Sequence, residues 1–230
     1  MTEIRQLLII TNTIDMGGRE TRLLGEMAAL KSQYINVHFI NLFANRSKRA
    51  TNLLNQFTQV IDYHLSGDVA DISVAFIMNT TARIIEYCRK HHIEAIYIHN
   101  SDIEALIGAL VAQQLKLPIF CTLHDKGMVY SNRLNPVLHF IFYQLILPSL
   151  SIVITMSYSL GDIVRRYAPN NLLVIPNLVN TEFFSPKVLS KNNKRLLIVS
   201  RLNIVKYKGV LDCIDYAYRL GIEHIDIAGD

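Results

Sequence analysis

The chain has 230 residues, half of them apolar, with a net charge of only +4. That composition excludes a disordered or low-complexity protein, and the mild positive balance does not call for nucleic acid, although it suits acidic ligands or an anionic membrane surface. The three cysteines, Cys88, Cys121 and Cys213, are odd in number, far apart and without a C-x-x-C pair. They therefore read as buried, reduced thiols of a cytosolic protein, not as disulfides or a zinc site.

Leu7–Glu20 (LLIITNTIDMGGRE) reads as a buried strand, a polar loop, a Gly-Gly pair and the start of a helix running from about Arg19 to Lys31. The apolar run lacks alternation, as in a strand covered on both faces of a parallel sheet. It is too short and too soon interrupted for a signal peptide. Gly17 and Gly18 stand where strand gives way to helix. Glycines there let backbone N–H groups approach a ligand, and the helix N-terminus favours an anion such as a phosphate. A plain tight turn is the alternative.

Ile35–Leu42 predicts a second strand, followed by a polar loop with Arg46, Lys48 and Arg49. That loop is either simply solvated or docks to anionic lipid. Thr58–Tyr63 predicts a third strand. Asp71 is placed to cap a helix reaching about His91. Glu94–Ile98 is the fourth predicted strand, with His99 at its end. Ser101 and Glu104 have capping-box spacing and open a helix to about Leu115. Pro118–Leu123 is the fifth strand and ends at His124-Asp125.

From Leu134 to Gly161 there is no Lys, Arg, Asp or Glu, long enough to raise a membrane span. Pro148 and its neighbouring serines divide the run. A buried helix over Pro136–Leu147, containing His139, followed by a strand at Ser151–Thr155, accounts for it. A face resting on a membrane or partner is the alternative. A helix around Leu160–Tyr167 and a strand at Leu172–Ile175 follow. The alternation predicts an α/β fold, a doubly wound parallel sheet over residues 1–186. Residues near 176–193 read as a linker, with Phe183-Phe184 to pin it. A second α/β domain begins at 194–230: strand Leu196–Val199, helix Gly209–Leu220 ended by Gly221, and strand His224–Ala228. Two strands and one helix cannot bury their own faces as an independent domain.

Four motifs occur in order: G-G-x-E at Gly17, Gly18 and Glu20; T-x-H-D at Thr122, His124 and Asp125; V-I-P-N-x-V-N-x-x-x-F-x-P from Val174 through Asn177, Asn180 and Phe184 to Pro186; and R-L followed by K-G at Arg201-Leu202 and Lys208-Gly209. With these the chain resembles the retaining glycosyltransferases of GT-B fold, the glycosyltransferase-4-like group. It spans their Rossmann-like first domain and the beginning of the second. The resemblance implies transfer of a sugar from a nucleotide-diphosphate-sugar donor to a sugar or lipid-linked acceptor, in cell-envelope polysaccharide or glycolipid synthesis on the cytosolic side. It implies no metal or other cofactor, a histidine at the position of His124 touching the transferred sugar, and a departing phosphate that takes the acceptor's proton. The family usually has three residues between R-L and K-G, and this chain has five. Lys206 keeps the spacing and Lys208 keeps the glycine, so either is a partner for Arg201.

The residue types suit that chemistry. Breaking a bond to a nucleotide diphosphate requires charge stabilisation on the leaving group, and an arginine with a lysine supplies a charge clamp. His124 and His99 end strands at the rim where open α/β sheets bind ligands. Asp125 either orients His124 or caps the next turn, and Asn177 sits in the linker motif. A dehydrogenase reading fails because no G-x-G-x-x-G follows Ile10. P-loop and nucleophile-elbow motifs are also absent. The remaining alternative is a non-catalytic acceptor- or partner-binding module.

Overall fold

The computed structural model describes residues 3–11, 18–43, 52, 55, 60–65, 73–99, 103–124, 140–177, 179, 181, 194–200 and 209–229. The chain divides into two compact units, Met1–Leu178 and Val179–Asp230.

The first unit holds a seven-stranded sheet. Its strands are β1 (Gln6–Thr11), β2 (Asn36–Phe43), β3 (Val60–Leu65), β4 (Ala95–Ile98), β5 (Ile119–Leu123), β6 (Ile152–Thr155) and β7 (Leu172–Val174). They lie in the order β3-β2-β1-β4-β5-β6-β7, and each neighbouring pair is parallel. The chain starts in the middle, winds outward to β3, then returns to the other side of β1. The order therefore reverses between β1 and β4, where doubly wound sheets bind ligands.

Helices α1 (Gly18–Ser32), α2 (Val74–Lys90) and α3 (Ile103–Leu115) make the crossovers. Because successive strand residues point to opposite faces, β1 divides its apolar run between two cores. Leu7 and Ile9 join Val37, Phe39, Ala95 and Tyr97 under Leu23 and Met27 of α1. Leu8 and Ile10 face the other way, among Ile40, Ile96, Ile98 and Cys121, against α2 and α3. The absence of alternation is thus the signature of a strand buried twice. Helix α3 lies close enough to β4 that a Cβ on Gly108 would come within 2.6 Å of Ile98 Cδ1.

Several boundaries differ from expectation. Helix α2 is capped by Ser73, whose Oγ accepts from the Phe76 N–H at 3.1 Å. Asp71 lies outside the described residues, and Ser73 has the reach because the helix begins at Val74. The apolar helix expected to end at Leu147 continues to Ser149, and Ile141–Ile146 is wound as π-helix before a single α-turn, α4 (Leu147–Ser149). The Leu147 N–H bonds back to Phe142 O. Pro148 explains the wider winding: it has no N–H for the carbonyl four residues earlier and its ring crowds that carbonyl. Among the described residues, no helix is long and apolar enough to cross a membrane. Helix α5 (Tyr158–Val164) starts earlier than predicted because Ser157 caps it, its Oγ accepting from Leu160 N–H.

Helices α1, α2 and α3 end in the same turn. Tyr34, His92 and Lys116 take φ of 59°, 52° and 55°, and the next residue's N–H returns to the carbonyl five residues back. This satisfies a terminal carbonyl and sends the chain straight into the next strand.

The second unit contains β8 (Arg195–Val199) and β9 (His224–Ala228), paired in parallel, with α6 (Val210–Arg219) between them. Gly209 precedes α6 at φ 66°, a left-handed conformation that glycine takes at no steric cost. Leu197, Val199, Leu211, Tyr218 and Leu220 are exposed in this unit. So is Cys213 on α6, contrary to the buried thiol expected. Its setting is apolar in sequence, but no described element covers it. Cys88 and Cys121 are buried as predicted.

Candidate active site

One cluster of polar residues of the first unit forms where β4 and β5 end beneath α1. On β4, Tyr97 and His99 are two residues apart and share a face, as do Thr122 and His124 on β5. Their strands are paired in register, Ile98 opposite Cys121. The Tyr97 and His99 rings meet edge to face at 5.6 Å, and the His99 and His124 ring centroids are 4.4 Å apart. His99 is 1% exposed, so it lies beneath the rim instead of opening onto it. His124 is half-buried.

Helix α1 brings a charged pair to the same face. Arg22 Nε donates to Glu26 Oε1 at 2.6 Å. Tyr97 Oη lies 2.8 Å from Glu26 Oε2 and 2.6 Å from Thr122 Oγ1. The carboxylate only accepts, so Tyr97 gives Glu26 its single proton, and Thr122 must donate to the Tyr97 oxygen. His99 Nε2 is 3.6 Å from the same Glu26 Oε2, within ion-pairing range when the ring is protonated. Burial pushes the Glu26 carboxyl up, but His99, Arg22 and Tyr97 together hold it below its ordinary value. Burial first and the Glu26 charge second raise Tyr97 well above the usual phenol range, so it stays a donor.

Arg22 also reaches the segment leaving β7. One guanidinium nitrogen donates to the Ile175 carbonyl at 2.9 Å and to Asn177 Oδ1 at 3.3 Å. Asn177 is exposed and held by this bond.

Of the residues singled out from sequence, His124, His99 and Thr122 come together, and Asn177 joins them through Arg22 and Glu26. Gly18 opens α1. Gly17, Asp125, Arg201, Lys206 and Lys208 lie outside the described residues, as do His139 and the basic loop Arg46, Lys48 and Arg49. Glu104, read as a capping-box partner, is fully buried, and its charge adds to the burial that raises the Cys121 thiol. The sequence reading missed Arg22, Glu26 and Tyr97. Only the i,i+4 charge pair within an otherwise amphipathic helix signals the first two. Tyr97 carries no signal, because a tyrosine inside a strand reads as core. Among the described residues, no group of three or more His, Cys, Asp or Glu side chains is arranged to hold a metal ion.

Solved structures share this architecture. A glycosyltransferase from Rickettsia africae ESF-5 matches with TM-score 0.63 and 13% identity over 100% of this chain. MnaA of S. aureus, solved together with UDP, matches with TM-score 0.56 and 13% identity over 98%. A UDP-N-acetylglucosamine 2-epimerase from Rickettsia bellii matches with TM-score 0.54 and 15% identity over 99%. The chain spans 69%, 69% and 62% of these proteins, respectively. No curated protein matches it. The doubly wound sheet, followed by the opening of a second α/β unit, is the GT-B type of fold. The family model Glycosyltransferase Family 4 matches residues 16–183. This chain belongs to glycosyltransferase family 4.

Proposed function

We propose that the chain carries the acceptor-side half, and the start of the donor half, of an enzyme that moves a sugar from a nucleotide-diphosphate-sugar to a sugar or lipid-linked acceptor with retention. Cell-envelope polysaccharide or glycolipid synthesis at the cytosolic face of the membrane is the setting that fits the family and the mild positive charge. The observation that carries the reading is the His99–His124 pair at the carboxyl ends of β4 and β5, next to the strand-order reversal and under the helix that Gly18 opens. His124 is the group for a hydroxyl of the transferred sugar. Asp125 orients it. The amide groups at Gly17 and Gly18 face phosphate or acceptor. Arg201, with Lys206 or Lys208, neutralises the departing diphosphate, whose own oxygen then takes the acceptor's proton. No catalytic metal is required on this scheme. UDP, found with MnaA of S. aureus, is the first donor nucleotide to try.

The test is transfer and product analysis with UDP-sugars on the full-length protein. His124→Ala is expected to lower kcat by about 100-fold, the scale of one lost transition-state hydrogen-bonding group. Arg201→Ala is expected to lower it by at least as much. Turnover unchanged in both variants would remove these residues from the site. Inversion at C2 of the UDP-sugar without transfer would make the protein an epimerase. Binding without turnover would leave an acceptor-binding module.

A further inference from the structure

Arg22 and Glu26 belong to none of the motifs, yet among the described residues they join α1, the end of β4 and the segment leaving β7. The Arg22 side chain is 5% exposed. A guanidinium taken out of water needs its charge balanced and its donors used. It gives bonds to three separate acceptors: Glu26 on its own helix, and Ile175 and Asn177 where the chain leaves β7. Glu26 divides its two oxygens, Oε1 to Arg22 and Oε2 to Tyr97, with His99 beyond. His99 in turn packs on His124. A continuous polar chain therefore runs from the β7 exit to the histidine at the end of β5.

We propose that Arg22 and Glu26 are positioning residues of the transferase site: Glu26 orients and charges the His99–His124 ring pair, and Arg22 ties that orientation to the path of residues 175–177. The inference rests on the reading of His124 as the sugar-contacting group. Among the described residues, the titratable groups set against His99 include Glu26 from α1, Tyr97 from its own strand and His124 from β5, with Arg22 behind Glu26. Two rings 4.4 Å apart do not readily both carry a proton, because like charges at that distance repel. His99 Nε2 lies 3.6 Å from Glu26 Oε2, so the carboxylate draws positive charge to the buried ring. Movement of residues 175–177 would pull on Arg22, and through it on the carboxylate that holds this arrangement.

The experiment uses the full-length protein with histidine-ring 15N labels and three variants. Glu26→Gln keeps the shape and removes the charge. Glu26→Asp keeps the charge. Arg22→Lys keeps the charge but not the three-way bonding. In Glu26→Gln the His99 ring should titrate at lower pH than in the parent, while His38, on the opposite face of the sheet against α2, keeps its curve. Glu26→Asp should restore much of the difference. Superimposed His99 curves in parent and Glu26→Gln would overturn the proposal. In the transfer assay Arg22→Lys should lose roughly tenfold or more in kcat, toward the 100-fold that a misplacement of about 1 Å costs. Unchanged turnover with that variant would remove Arg22 from the device. If the parent shows no transfer, the functional reading fails, and the histidine titration still decides whether Glu26 charges His99.

Discussion

Replacing Tyr97 by Phe tests the direction of the hydrogen bonds at the centre of the site. Tyr97 is 6% exposed and Thr122 fully buried. The substitution keeps the ring and deletes one oxygen that donates to Glu26 and accepts from Thr122. A hydrogen bond to a charged group contributes about 1.5–3 kcal/mol. Part of that is recovered from water, because the Glu26 side chain is 19% exposed. The Thr122 hydroxyl has no such recourse, and a buried donor left without its acceptor costs about 1–3 kcal/mol. Together these predict a loss of about 3 kcal/mol for Tyr97→Phe, or a fall in Tm of roughly 6–12 °C for a unit of this size. Thr122→Val removes only the donor, leaves the Tyr97–Glu26 bond in place, and should cost about 1 kcal/mol. In the double variant no orphaned hydroxyl remains, so the total should fall short of the sum by at least about 1 kcal/mol. The chain has no tryptophan, so urea unfolding is best followed by circular dichroism at 222 nm. A loss below about 1 kcal/mol for Tyr97→Phe, or strict additivity of the pair, would refute the reasoning.

Acid stability follows from Glu26. Its carboxyl is held below the ordinary value of 4.5 in the folded chain, so the unfolded chain binds more protons through that interval. The stabilisation it gives is complete above the unfolded value and is lost as pH falls through the lower folded value. Glu26→Gln should flatten this limb of an acid-unfolding curve, and an unaltered limb would show that other carboxylates carry it. Thiol labelling should find one fast cysteine, Cys213, which is exposed. Cys88, pushed up to about 12 by burial, and Cys121, raised still further by burial and Glu104, should react only on unfolding. Cys213→Ser should abolish the fast phase.

Much of the fold was legible because its period was. Unbroken apolar runs such as LLII and AIYI announce strands buried on two faces, and the intervening helical stretches make the sheet parallel. Helix ends were less legible. Gly221 announces its turn, whereas Tyr34, His92 and Lys116 adopt the same left-handed conformation without the residue type that signals it. The π-helical winding before Pro148 was not visible either, since a proline marks a helix boundary in sequence but does not say how the preceding turn will yield. The site was half legible. His124 stood out through its motif and strand-end position, and His99 through position alone. Arg22, Glu26 and Tyr97 did not, because each looks ordinary in its own element and gains its role only from a partner distant in the chain.

Local chemistry along the chain decides the alternation of strands and helices, the burial of β1 on both faces, the glycine before α6 and, through short motifs in fixed order, the family. Tertiary structure alone decided which polar groups meet. Tyr97 and Glu26 are 71 residues apart, Arg22 and Ile175 153 apart. Their contact depends on strand order and on the rotation of α1 over the sheet. The rotation is set by the packing of Leu23 and Met27 against β1, β2 and β4, a sum of many small apolar contacts that no short motif encodes.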